Sequence, residues 1–282
     1  MNLSSLIARP AFRRTVAAAS LGVACSGAWA LPTFTFNPAG ATSALAGAPF
    51  TADNIIISDY SIVRFGTGGS FTDNGFLSVA SVQLGGTTFT PTGLNSNYGL
   101  YFDFSGAGTV SGGNPATSIT SGSFTSLNYT LYGYNGAPAT FNVAGDAPTT
   151  SAAAGRIALA TGSLLPGPNQ SSVGSAPQSP TFTSSASANL SFVPNPAAYG
   201  FFTNPPGASF YSVAVSSFIN SPTQVSPFTG GFQNGFRISQ GGGSVNFTAP
   251  VPEPETYALM LAGMGVVGWA ARRRRAAADK NS

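Results

Sequence analysis

The chain is patterned in twos. Tyr98, Leu100, Phe102 and Phe104 alternate with Gly99, Tyr101, Asp103 and Ser105, a period that turns every second side chain to one face of a strand. Leu127, Tyr129 and Leu131 alternate likewise with Asn128, Thr130 and Tyr132, and Tyr211, Val213 and Val215 with Ser212, Ala214 and Ser216. Shorter candidates are 33–36, 54–58, 61–65, 76–84, 87–90, 139–143, 156–164, 189–193, 235–239 and 244–248. No comparable 3.6-residue pattern occurs in residues 31–250. Turn chemistry punctuates these runs at Asp73-Asn74-Gly75, Gly85-Gly86, Tyr134-Asn135-Gly136, Pro205-Pro206-Gly207, Asn234-Gly235 and Gly241-Gly242-Gly243. Many short strands so spaced, with no Glu, Lys or Met to favour helix, predict an all-β fold: an antiparallel β-sandwich or jelly-roll-like secreted domain. No fixed-period repeat points instead to a solenoid or propeller.

Residues 31–250 are long enough to bury most of their unfolded surface in one core. Small polar tracts cover 144–155 and 166–187, and the second, rich in Ser, Pro, Ala and Gln, reads as a long loop. One domain carrying that loop is preferred over two lobes, because the strand patterns on its two sides are alike. Without Lys or Glu to blunt them, edge strands are open to pairing between copies.

The two ends depart from this pattern. Arg9, Arg13 and Arg14 precede an apolar run over 16–25, and Ala28-Trp29-Ala30 follows as an A-x-A site. Residues 1–30 therefore read as a secretory signal peptide cleaved before Leu31. At the other end, Pro252, Glu253 and Pro254 lie in a stiff, extended segment, since each proline fixes its own φ and biases the residue before it. An apolar run over 257–271 follows, 15 residues or roughly 22 Å of helix against a hydrocarbon core of about 30 Å. Arg272, Arg273, Arg274 and Arg275 then stop the span. Arg at mid-bilayer costs about 2.5 to 3.5 kcal/mol each, so the cluster stays on the cytoplasmic side and the body outside. This predicts a single, short transmembrane helix that holds the chain in the membrane transiently.

Subtracting both ends changes the charge picture. The whole chain is +3, but residues 31–250 hold three Arg (Arg64, Arg156, Arg237) and five Asp (Asp53, Asp59, Asp73, Asp103, Asp146), a net −2. The basicity belongs to the targeting segments, so the body has no electrostatic footprint for nucleic acid. The lone Cys25 falls in the signal peptide, which leaves stability to the core alone.

The same residues contain no His, Cys, Glu, Lys, Trp or Met. Serine triads lack a base, and thiol nucleophiles and His or Cys zinc sites lack their atoms. An Asp pair of glycosidase type is the remaining catalytic option, against the usual turn role of Asp. Asp53-Asn54, Asp59 and Asp73-Asn74 offer oxygen ligands but not at the spacing of a calcium loop. The expectation is a non-enzymatic protein without cofactor or metal. Tyr132, Tyr134 and Tyr199 lie near turns, where a ring can stack on a pyranose; cross-strand packing is their alternative role. Asn128, Asn169, Asn189 and Asn246 head N-x-S/T sequons.

The tail of Pro252-Glu253-Pro254, short hydrophobic span and arginine cluster resembles the PEP-CTERM sorting signal of Gram-negative, exopolysaccharide-producing bacteria. The resemblance implies that an inner-membrane exosortase recognises Pro252, Glu253 and Pro254 and removes the tail over 251–282. Phe50-Thr51-Ala52-Asp53-Asn54-Ile55, Gly69-Ser70-Phe71-Thr72 with Asn74-Gly75-Phe76-Leu77, Asn97-Tyr98-Gly99-Leu100-Tyr101-Phe102, Leu190-Ser191-Phe192-Val193-Pro194-Asn195-Pro196 and Gly235-Phe236-Arg237-Ile238 to Asn246-Phe247 are similar to segments of the flocculation-associated PEP-CTERM proteins. That likeness implies a secreted structural or adhesive protein of the polysaccharide matrix, partnered by extracellular polysaccharide or by itself. The alternative is a lectin-like carbohydrate-binding module, calcium-assisted or not.

Overall fold

In the computed structural model of the chain, the described residues are 31–248 except 43, 112–119, 137, 167–170, 175–183 and 229–230, together with residue 264. Short strands β1 (Phe34–Phe36) and β2 (Phe50–Ala52) lead into the long β3 (Asn54–Phe65) and β4 (Ser70–Leu84), with β5 (Thr87–Phe89) folded back on β4. Then come β6 (Tyr98–Ser111) and β7 (Thr120–Asn135), a small hairpin of β8 (Phe141–Asn142) and β9 (Thr149–Thr150), and β10 (Ile157–Ser163) and β11 (Ser171–Gly174). β12 (Ser184–Ser191), β13 (Val193–Pro194), β14 (Phe202–Asn204), β15 (Val213–Asn220), β16 (Val225–Phe228) and β17 (Gly231–Phe247) complete the order.

One 12-stranded sheet contains all the long strands, and it nearly closes into a barrel. β3, β4, β6 and β7 pair in succession, β12, β15 and β17 do the same, and β17 returns to β3 from Gly235↔Arg64 to Val245↔Ile55. β11 joins the halves, with Ser172 opposite both Gly122 of β7 and Ala186 of β12. β10 covers the rest of β7 and reaches β12 through the Leu164↔Leu190 bridge. Every ring neighbour is the next long strand in the chain, so the path is an up-and-down meander. The antiparallel all-β expectation holds. The jelly-roll form does not, because that form needs Greek-key crossovers, and a sandwich needs two separate stacked sheets. This near-closure also leaves few of the open edges expected from the scarcity of charge, since most of the long strands have a neighbour on both sides.

Alternation along β3 decides what lies inside. Ile55, Ile57 and Val63 face the core with Leu77, Val79, Phe102, Phe104, Leu131 and Val245 from other strands. A barrel of this size is just wide enough for side chains to fill. One part of the core is almost wholly aromatic: Phe36 lies 4.7 Å from Phe34 and Phe201, 5.4 Å from Phe202 and 5.6 Å from Phe50, ring centre to ring centre. The three-stranded sheet β14-β1-β2 supplies most of these rings.

Three expected turns lie inside strands. Asp73-Asn74-Gly75 sits in β4, and both Asn234-Gly235 and 241–243 sit in β17. Close approach selects these glycines rather than turning. A Cβ on Gly75 would lie 2.4 Å from the Tyr60 carbonyl oxygen, and one on Gly241 would lie 2.0 Å from Asn220 Oδ1. The tract over 144–155 is not a bare linker either. With 138–143 it forms a flap over a second apolar cluster of Phe76, Tyr101, Tyr134 and Ala152 on the barrel's outer face.

Candidate functional site

Because odd positions of β3 face inward, its even positions Tyr60, Ile62 and Arg64 face out, and β4, β6 and β7 add Phe76, Tyr101, Tyr132 and Tyr134 beside them. The flap lays Phe141 on this aromatic surface, stacked on Tyr60 at 5.3 Å and 5.6 Å from both Phe76 and Tyr101. Two polar ties hold it: the Ala139 amide donates to Tyr134 Oη at 2.9 Å, and Arg64 donates to the Asp146 carbonyl at 2.7 Å and its carboxylate at 3.3 Å.

Beside the flap lies an open cleft of about 340 Å³, walled by Tyr60, Phe141 and Val143 on one side and by Ser226, Arg237 and Gln240 on another. The guanidinium of Arg237 sits 4.3 Å from the centre of the Phe228 ring, and Arg64 lies 4.5 Å from the same ring. Arg237 donates to the Pro227 carbonyl at 3.3 Å, and its enclosed Nε has no hydrogen-bond partner. Among the described residues, ion pairs join Arg64 to Asp146 and Arg156 to Asp103. Arg237 has no carboxylate, and no Asp lines the cleft.

The tyrosines singled out from the sequence divide. Tyr132 stacks on Tyr101 at 5.5 Å and lies 4.0 Å beneath the guanidinium of Arg156, which also donates to Tyr101 Oη and Asp103 Oδ2, both at 3.1 Å. Tyr134 is buried, and burial pushes its hydroxyl up, opposed by the hydrogen bond from Ala139. Tyr199 is exposed on the 3-10 turn Pro196–Phe201, away from this surface. Tyr132 and Tyr134 thus share the patch, where both rings pack against Tyr101. The cleft residues Tyr60, Phe141 and Arg237 were not singled out in sequence, although Arg237 between Phe236 and Ile238 is one of only three body cations.

Inside the barrel the register gathers a second group. Asp59 is opposite Leu77, Ser61 opposite Gly75, and Val63 opposite Asp73, so the missing side chain of Gly75 lets Ser61 sit close between two carboxyls. Asp59 Oδ1, Ser61 Oγ and Asp73 Oδ1 are enclosed and close together, but none is aligned well enough for a regular hydrogen bond. Burial raises Asp59 well above the carboxylate range, with repulsion from Asp73 adding to it and the Ser61 hydroxyl opposing. Burial raises Asp73 to about 7, again opposed by Ser61. Asp53 serves a turn instead, accepting from the Gly85 amide at 2.6 Å. Among the described residues, no three His, Cys, Asp or Glu side chains converge as metal ligands, and no helix is long and apolar enough to cross a membrane.

The cleavage residues Ala28 and Ala30, the segment Pro252, Glu253 and Pro254, the span over 257–271 and Arg272 to Arg275 lie outside the described residues. Residues 250–275 match the family model of the PEP-CTERM protein-sorting motif. The motif implies an exported protein of a Gram-negative bacterium with an exosortase as its processing partner. No curated protein and no solved structure matches the chain.

Proposed function

We propose that this exported protein is a non-enzymatic structural and adhesive component of the extracellular polysaccharide matrix, supporting flocculation or biofilm formation. The sorting motif at 250–275 carries the reading, because it addresses the body to the outside of the cell. The carboxylates support it. Asp103 and Asp146 are held by arginines, Asp53 by a backbone amide, and Asp59 and Asp73 are inside the barrel. Among the described residues, no carboxylate pair therefore flanks an open cleft in the way glycoside hydrolysis requires. Contact with the matrix falls to the outer face.

The cleft beside the flap favours a second reading, specific carbohydrate binding, since an aromatic wall next to amides, hydroxyls and a cation is the usual composition of a saccharide site. Calcium assistance gains nothing here, because no Asp lines the cleft. The test is genetic. A strain lacking the protein disperses while still secreting polysaccharide, and a strain with Pro252, Glu253 and Pro254 replaced by alanine disperses too, with the uncleaved chain in the inner membrane. Unchanged sedimentation of the deletion strain would overturn the proposal.

A further inference from the structure

The body carries three cations, each over an aromatic ring, but among the described residues only two have an anion. Arg156 has Asp103 and Arg64 has Asp146, whereas Arg237 has only the Pro227 backbone carbonyl, at 3.3 Å, and no carboxylate. Arg64 and Arg237 also crowd one ring, that of Phe228, at 4.5 and 4.3 Å. Two like charges so close repel unless anions meet them. Asp146 meets one. The other faces a cleft that the protein has lined with Tyr60 and Phe141, hydroxyls and two amides, and with no acid of its own. A guanidinium is planar and forked, matched to a carboxylate in geometry as well as charge. Arg156 differs in that its Nη1 already donates to the Asp103 carboxylate and to Tyr101 Oη.

We infer that the cleft bounded by Tyr60, Phe141 and Arg237 binds a carboxylate-bearing sugar unit of an acidic polysaccharide, the carboxylate on Arg237 and the ring against the aromatic wall. This rests on the matrix reading and names the ligand class for it. Neutral glycans make only the aromatic and amide contacts, so the site discriminates by charge, and salt weakens it.

The test uses the protein recovered from the extracellular fraction, titrated with polygalacturonate, with methyl-esterified polygalacturonate and with dextran. Binding is expected for the first alone. Arg237→Gln removes a charge-assisted contact, so affinity should fall on the order of 10- to 100-fold. Ser226→Trp, which keeps the arginine and fills the cleft from an exposed position of β16, should lower affinity as well, and keeps the test valid where Arg237→Gln disturbs the fold. Equal affinity of the wild type for all three polymers overturns the inference, as does unaltered binding by Ser226→Trp. Absence of polygalacturonate binding also overturns it, yet leaves the matrix role standing if the deletion strain still disperses.

Discussion

The buried pair Asp59 and Asp73 makes stability depend on pH in an unusual direction. An acid raised in the folded state binds its proton more tightly there than in the unfolded chain, so folding is favoured while both states are protonated. The advantage is lost as the folded group is forced to ionise. For Asp73, raised from 3.8 to about 7, the window runs from about pH 4 to about pH 7. Ionising a carboxyl held that far above its ordinary value costs about 4 kcal/mol at about 1.4 kcal/mol per pH unit, a large share of the roughly 5 to 15 kcal/mol that folds a domain. Asp59, raised by burial and by Asp73, adds in the same direction. Urea unfolding should therefore give a midpoint that falls from about pH 4 to about pH 7.5, where surface carboxylates alone would make it rise. Asp73→Asn replaces the acid by a neutral group of the same shape. It should be close to neutral in effect at pH 4 and stabilising by a few kcal/mol at pH 8, flattening the profile. A wild-type midpoint that climbs through this window, or an Asp73→Asn change equal at both ends, would refute the reasoning.

Two further substitutions probe the core and the outer patch. Phe36→Ala removes a ring about 1% exposed that has five other phenylalanine rings within 6 Å, and should cost about 3 to 5 kcal/mol in the same urea assay. Arg156→Ala loses a half-exposed ion pair and its place over Tyr132; thermal melting should report a loss of about 1 kcal/mol, reduced in 1 M salt.

The strands were legible because a period of two survives wherever one face is buried, as in 98–105 and 127–132. Their joining was not. Residues 54–58 and 61–65 read as separate strands because Asp59 and Tyr60 interrupt the apolar run, yet they are one strand whose acid points inward and whose tyrosine points outward. Turn residues misled for a similar reason: Asp73-Asn74-Gly75 has the composition of a turn, but its glycine is fixed by the nearness of Tyr60 and Ser61 across the sheet, which no local rule contains. Ring closure depends on β11 meeting Gly122 and Ala186, about fifty residues before it and about fourteen after it. Pairing of that kind is invisible to periodicity.

Closure, in turn, bears on how such a protein could hold others. An open sheet so poor in charge leaves its edges free to pair between copies, which composition offers as one means of contact beside surface side chains. With most of the long strands paired on both sides, backbone edges are largely consumed, which favours contact through side chains on the outer face. There the protein has concentrated what little chemistry it has. All three arginines of the body lie over rings on that surface, Arg156 on Tyr132 and both Arg64 and Arg237 on Phe228. Stacking keeps each guanidinium in place without a fully enclosed ion pair, whose desolvation a nearly uncharged barrel is poorly equipped to offset. Of the three, the one left without a carboxylate borders the cleft, and it is there that an anion from outside completes the pattern the other two already show.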